Sequence, residues 1–162
     1  MKKWGCNVLG SYYISFYDSP IGLIKIAANE EAIVALDFVY KRSKENENDV
    51  IRQCKIQLDE YFKGIRKEFD VNIEVNGTEF QKMVWQELKR IPYGQVRSYK
   101  DIAVAIGNEK AVRAVGGANN KNKIAIIIPC HRVVGKDGSL TGYAGGLWRK
   151  KWLLEHEERN SK

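Results

Sequence analysis

The segment Pro129-Cys130-His131-Arg132-Val133 holds more reactive chemistry than any other stretch of this 162-residue chain. A thiol attacks as its thiolate, and a free cysteine has a pKa near ~8.5 that a neighbouring base or cation lowers. His131 and Arg132 supply one of each. The unbroken apolar run Ile124 to Ile128 reads as a buried strand that delivers Cys130 at its end. Adjacent side chains on a strand point to opposite faces, so a Cys130–His131 contact there needs a turn or a bridging water. Taken alone, a Cys-His dipeptide reads first as a packed cysteine beside a satisfied histidine. Cys54 falls on the apolar face of a helix and reads as core, and Cys6 reads as an exposed terminal thiol. Three cysteines, with no apolar signal core after Met1-Lys2-Lys3, point to reduced thiols in the cytoplasm. With two histidines and no Cys-x-x-Cys pair, no metal centre is expected.

The elements that must position this segment fall into two halves. Tyr12 to Tyr17, Ile21 to Ala27 and Ala32 to Val39 read as three antiparallel strands, the first two separated by a turn at Asp18-Ser19-Pro20. Lys41 to Asn48 is a charged loop. From Asp49 to Phe62, Val50, Ile51, Cys54, Leu58, Tyr61 and Phe62 recur at helical spacing. Lys63-Gly64 ends that helix, and Phe69 to Val75 reads as a returning strand. Residues 1–76 are thus expected to form a small α+β unit, with a hinge at Asn76-Gly77-Thr78.

In residues 77–162, Thr78 can cap a helix running to about Arg90, with Phe80, Met83, Val84, Leu88 and Ile91 inward. Ser98, followed by Asp101 in a capping-box-like position, starts another helix that ends at Gly107. A short helix over roughly Lys110 to Ala118 completes a helix-turn-helix candidate, a weak motif by itself. The last helix runs from Leu147 to about Glu157. The fold class expected is α+β: a three-stranded antiparallel sheet with a helix, packed on a mostly helical C-terminal domain.

Charge divides along the same line. The chain has 27 Lys+Arg and 20 Asp+Glu, a net +7. Residues 1–76 hold 11 and 12, for −1, and residues 77–162 hold 16 and 8, for +8. A basic excess confined to one half points to a polyanion, or to a solvated surface kept for solubility.

Several motifs in order resemble the O6-alkylguanine-DNA alkyltransferases over nearly the whole chain. Pro129-Cys130-His131-Arg132-Val133 resembles their active-site motif, and Arg113-Ala114-Val115-Gly116-Gly117-Ala118 their DNA-recognition helix. Ser19-Pro20-Ile21-Gly22, Leu58 to Gly64, Gly77 to Trp85, Ile91-Pro92-Tyr93-Gly94, Ser98-Tyr99 and Gly142-Tyr143-Ala144-Gly145-Gly146 also match. The resemblance implies single-turnover repair of O6-alkylguanine, with O4-alkylthymine an open second substrate. The alkyl group of a flipped-out base in duplex DNA moves to a cysteine, without a cofactor, in a monomer that meets no membrane.

By resemblance, Cys130 is the nucleophile, His131 its base through water, and Glu157 the partner of His131, with Glu155 the competing carboxylate. Tyr99 would protonate the leaving guanine, and Asn122 would hold the backbone before Cys130. The carbonyls of Cys130 and Val133, together with Tyr143, Ala144 and Gly145, would line the base pocket. Arg113 would fill the gap left in the base stack. Ser98 and the small residues Ala111, Ala114, Gly116, Gly117 and Ala118 would let a helix enter the minor groove. The family often carries serine near Ala144. Its animal members can hold an N-terminal zinc site, which this chain is expected to lack, as it is any appended regulatory domain. The rival readings are a lesion binder without transfer, a helix-turn-helix transcription factor, and a cysteine hydrolase that turns over.

Overall fold

A computed structural model describes residues 12–162, so Cys6 and the Met1-Lys2-Lys3 start lie outside the described residues. The chain divides into two compact units, Met1–Glu74 and Val75–Lys162.

In the first unit, β1 (Tyr13–Ser19), β2 (Gly22–Ala28) and β3 (Ile33–Val39) form an antiparallel meander. The β1–β2 turn sits at Pro20-Ile21, later than its expected place, because Asp18 and Ser19 keep their strand pairing with Leu23 and Gly22. Ser19 Oγ closes the turn by accepting from the Ile21 N–H at 3.1 Å and donating to the Gly22 carbonyl at 2.6 Å. Helix α1 (Asp49–Phe62) is capped by Asn48 and buries Ile51, Cys54, Leu58, Tyr61 and Phe62. The expected strand over 69–75 reduces to a single parallel bridge, Ile73 beside Ile33. Its alternating burial is present, but the Gln57 side chain takes both backbone groups of Asp70, which a longer ladder would have used.

In the second unit, Thr78 and Gln81 make a capping box at the start of α2 (Glu79–Leu88). Val84, Trp85 and Leu88 face inward, whereas Met83, expected in the core, is 48% exposed. Trp85 takes the inward place and donates its indole N–H to the Ala118 carbonyl at 2.9 Å. Residues Arg97–Ser98 form β4, and Ser98 with Asp101 makes a second capping box for α3 (Tyr99–Ala105). Gly107 turns the chain with φ +83°, a conformation that favours glycine, and α4 (Val112–Asn120) follows. Together α3 and α4 make the expected helix-turn-helix.

The expected strand over 124–128 does not form. Residues 125–128 are a chain of tight turns, with Ile127 N–H to Ala125 O at 2.7 Å and Ile128 N–H to Ile124 O at 3.0 Å. Ile126 sits at φ +71°. The isoleucines at 124, 126 and 128 are still buried, so an apolar run that marks burial correctly does not specify the backbone. Next come a 3₁₀ turn, Cys130–Arg132, and β5 (Val133–Val134), which pairs parallel with β4. That pairing sets the reactive turn beside the start of α3. Helix α5 (Leu147–Asn160) ends the unit.

Removing the α3 cap tests this arrangement. Ser98→Ala should cost about 1 kcal/mol and lower the thermal midpoint by several degrees, while Ser98→Thr keeps most of the stability. Equal midpoints for Ser98→Ala and the parent chain in a calorimetric melt would show that the cap does not stabilise α3.

Candidate active site

The 3₁₀ turn sends its three side chains to different partners. Cys130 is 6% exposed, and its Sγ accepts from Asn122 Nδ2 at 3.1 Å. The same Asn122 amide donates to the Ile128 carbonyl at 2.8 Å, and its Oδ1 accepts from the Ile124 N–H at 3.0 Å. Asn122 thus braces the strained turn and touches the sulfur. The Cys130 carbonyl accepts from the Val133 N–H and from Asn119 Nδ2 at 3.3 Å, so it is already engaged where the sequence reading left it for a guanine amino group.

His131 is fully buried, and its Nε2 lies 2.7 Å from Glu157 Oε2. Arg132 grips the same carboxylate with two N–H groups, Nε to Oε1 at 2.8 Å and Nη2 to Oε2 at 3.0 Å. Its Nη1 donates to the Ile91 carbonyl at 2.7 Å. Burial alone would push Glu157 up, but His131 and Arg132 outweigh it and hold the carboxyl well below the usual carboxylate range. An ionised Glu157 only accepts, so Nε2 carries the imidazole proton and Nδ1 carries the lone pair. Burial pulls the His131 pKa down against the pull of Glu157, which keeps the ring neutral. Nδ1 is buried with no hydrogen-bond partner among the described residues, an oriented base.

Burial also pushes the Cys130 thiol up, opposed by the Asn122 hydrogen bond and the charge of Lys150. The resting sulfur is therefore a thiol and needs a base. Arg132, expected to act on Cys130, is committed to Glu157, and Lys150 is the cation that acts on the sulfur. Glu157 and Lys150 lie on the buried face of α5, whereas Glu155 points to solvent.

The remaining predicted residues separate by position. Tyr143 is pushed well above the ordinary tyrosine value by burial and then by Cys130, and its buried hydroxyl has no partner among the described residues. Ala144 is exposed and Gly145 half-buried, with the Gly145 carbonyl accepting from Arg149 Nη1 at 2.8 Å. Val133 is buried in β5. Tyr99 donates its hydroxyl to the Thr141 carbonyl at 2.9 Å. On α4, Arg113, Ala114 and Gly117 are exposed, and Ala111 is half-buried at the cap. Gly116 is half-buried, 4.0 Å from the Tyr99 ring at its notional Cβ. Ala118 is 4% exposed, so it belongs to the interior and not to an outer DNA face. Ser98 Oγ accepts from the Asp101 N–H at 3.0 Å, which leaves its hydroxyl proton free to donate.

Sequence reasoning missed Arg132 as the clamp on Glu157, Asn119 as a donor to Cys130, and Lys150. The usable signal for Lys150 was its spacing of two helical turns from Glu157, which puts both on one face.

Two acid-linked effects follow, and they share a sign. His131 stays neutral in the fold while an unfolded histidine binds a proton, so stability falls as pH drops below 6.5. The depressed Glu157 stabilises the fold fully above 4.5, and that contribution is lost as pH falls further. Thermal midpoints should fall in these two stages. Arg132→Met should cost about 3–5 kcal/mol, because it leaves a buried carboxylate short of its main partner. It should also raise the His131 titration midpoint, read by NMR. A midpoint unmoved by that substitution would mean Arg132 does not set the charge state of the pair.

Comparison with known proteins covers both units. Residues 79–159 match the family described as 6-O-methylguanine DNA methyltransferase, DNA binding domain, and residues 12–75 match its ribonuclease-like domain. A methylated-DNA–protein-cysteine methyltransferase from Methanosarcina barkeri is 49% identical over 156 residues, covering 91% of this chain and 98% of that protein. The crystal structure of Mycobacterium tuberculosis O6-methylguanine methyltransferase is similar at a TM-score of 0.86 and 41% identity, covering 94% of this chain and 96% of that one. A Mycobacterium tuberculosis OGT solved in complex with DNA is similar at 0.84 and 44% identity, covering 92% and 93%.

Proposed function

This chain belongs to the 6-O-methylguanine DNA methyltransferase family, and we propose that it repairs duplex DNA by moving the alkyl group of O6-alkylguanine irreversibly onto Cys130. The observation that carries the assignment to this residue is the buried Cys130 sulfur, held by Asn122 beside a neutral His131 that Glu157 orients.

The chemistry runs from these groups. His131 Nδ1 takes the thiol proton through a water, and Glu157 stabilises the imidazolium that forms. The thiolate attacks the alkyl carbon, a C–S bond forms, the C–O6 bond breaks, and its electron pair stays on the guanine. Tyr99 turns its hydroxyl from Thr141 to the base and protonates it. The thioether is stable, so each molecule acts once. Tyr143, Ala144, Gly145 and the Val133 carbonyl line the pocket for the base.

A base inside a stack is out of reach of a thiol, so the lesion must be flipped out, at a cost of a few kcal/mol. The exposed face of α4 suits that step. A helix is about 10–12 Å across and the minor groove about 6 Å wide, so only small side chains allow close entry. Ala114 and Gly117 flank Arg113 on that face, Ala111 and Gly116 keep its edges slim, and Arg113 is free to occupy the flipped base's place. Ser98 can donate to a phosphate. The +8 of residues 77–162 supplies a sequence-independent, salt-sensitive grip. The chain acts as a monomer, from the minor-groove side, in the cytoplasm, with residues 77–162 as the working domain and 1–76 as structural support. Among the described residues no helix is long and apolar enough to cross a membrane.

Duplex DNA containing O6-methylguanine, followed by mass spectrometry of peptide Ile124–Arg132, tests the transfer. One methyl on Cys130 and a stop at one equivalent are expected; an unmodified peptide or continued turnover would sink it. Cys130→Ala should abolish transfer and keep DNA binding. Arg113→Ala should slow transfer from duplex DNA roughly 10–100-fold while leaving the reaction with the free base nearly unchanged. Equal slowing on both substrates would remove Arg113 from the flipping step.

A further inference from the structure

Asn119 lies in the last turn of α4 and is buried. Its place is fixed by the helix that carries it. Val115 and Ala118 anchor the same helix end in the interior, and the Trp85 indole N–H holds the Ala118 carbonyl at 2.9 Å. From there Nδ2 donates to the Cys130 carbonyl at 3.3 Å, while Oδ1 has no partner among the described residues. Turning the amide over would set two oxygens against each other, so the Cys130 carbonyl dictates which way Asn119 lies. That carbonyl also accepts the Val133 N–H, which closes the 3₁₀ turn. A carbonyl oxygen has two lone pairs, and here both are used within the chain. The consequence concerns the base. Alkylation at O6 leaves N1 of guanine without a proton, so the 2-amino group, across N1 from the alkylated oxygen, is the one donor left on that edge. A thiol that reaches the alkyl carbon brings its own residue's carbonyl close to the same edge. An open carbonyl there would reward guanine, because a base lacking the amino group would leave it bare in a dry pocket, a loss of about tenfold or more in rate. A filled carbonyl asks nothing of the base.

We propose that Asn119 is a specificity-determining residue that fills the Cys130 carbonyl and so frees the pocket from the 2-amino group. The substrate class then widens to O6-alkylated purines with or without that group, alkylated hypoxanthine as well as alkylated guanine. This rests on the repair reading given above. The chemistry balances as it does for guanine. The thiol proton goes to His131, the C–S bond forms, the C–O6 bond breaks, its electron pair stays on the purine, and the Tyr99 proton neutralises it. Hypoxanthine presents the same O6 and N1 and differs only in carrying hydrogen at C2. A change in the relative rates of the two bases between variants therefore reads what the protein offers to C2, since differences intrinsic to the bases cancel.

Two duplexes identical but for O6-methylguanine or O6-methylhypoxanthine at one site are reacted under single-turnover conditions, and the methyl on Cys130 is followed by mass spectrometry. In the wild-type chain the guanine duplex should react no more than about threefold faster than the hypoxanthine duplex. A larger preference for guanine overturns the proposal. Asn119→Leu, close in volume and without a donor, uncovers the carbonyl, and the guanine-over-hypoxanthine ratio should rise about tenfold. Equal slowing on both duplexes, with the ratio unchanged, is what a merely structural role produces, and it overturns the proposal as well. Should Asn119→Leu fail to fold, the smaller Asn119→Ala takes its place, and the wild-type comparison decides without either. A measurement free of DNA tests the contact itself. With cysteine labelled at its carbonyl carbon, the Cys130 resonance should move upfield in the Asn119 variant while that of Cys54 stays in place. An unmoved Cys130 resonance removes Asn119 from the carbonyl and overturns the proposal. A wild-type chain that transfers from neither duplex sinks the repair reading and the wider substrate class with it, while the carbonyl resonance still decides the contact.

Discussion

The second unit is organised around one buried carboxylate. Glu157 accepts two N–H bonds from Arg132 and one from His131, all inside the protein. A buried charge is tolerated only when paired and hydrogen-bonded, so none of these three groups can be moved alone without leaving another uncompensated. The constraint reaches outward. Arg132 also holds the Ile91 carbonyl just past α2, and His131 is fixed in the tautomer whose free lone pair lies at Nδ1. The direction of the base is thus set by a carboxylate bonded to the opposite nitrogen of the ring.

The backbone before the turn meets a related demand. In an extended strand Cys130 and Arg132 would share a face, with His131 on the other. The 3₁₀ turn instead lets Cys130 face Asn122 while His131 and Arg132 converge on Glu157. Reaching that geometry takes tight turns over 125–128 and a left-handed Ile126, a conformation costing roughly 1–2 kcal/mol for a side chain of this kind. Asn122 offsets part of it with bonds to Ile124 and Ile128. The amide that stabilises the turn is also the one that touches the sulfur. Strain and reactivity are therefore held by one side chain.

Some features were legible in the residues because they depend on local chemistry. The helix caps at Thr78 and Ser98, the meander of the first unit and the helix carrying Cys54 follow from hydrogen-bonding side chains and periodicity within a few residues. The charge asymmetry was visible as a count. The Cys-His-Arg segment was visible as a motif, and its resemblance named the reaction. The strand over 124–128 was misread because a run of isoleucines reports burial equally well in a strand or in turns. Met83 was misplaced because residues two apart on a helix lie about 200° apart around its axis, so Met83 and Trp85 cannot share the inward face, and only packing chooses Trp85.

By itself, then, the sequence determined the α+β class, the helix starts, the basic half and the candidate thiol, since each depends on neighbours along the chain. Tertiary structure alone decided that Arg132 serves Glu157 and not Cys130, that Asn119 occupies the Cys130 carbonyl, and that Lys150 lies buried with its ammonium on the Thr141 carbonyl. The physical reason is common to all three. A charged or polar side chain is assigned by the partner it can reach once water is excluded. Those partners stand 11 to 25 residues away for Asn119 and Arg132. For Lys150, only the enclosure made by α3, α5 and the reactive turn turns an ordinary surface residue into a sheltered charge.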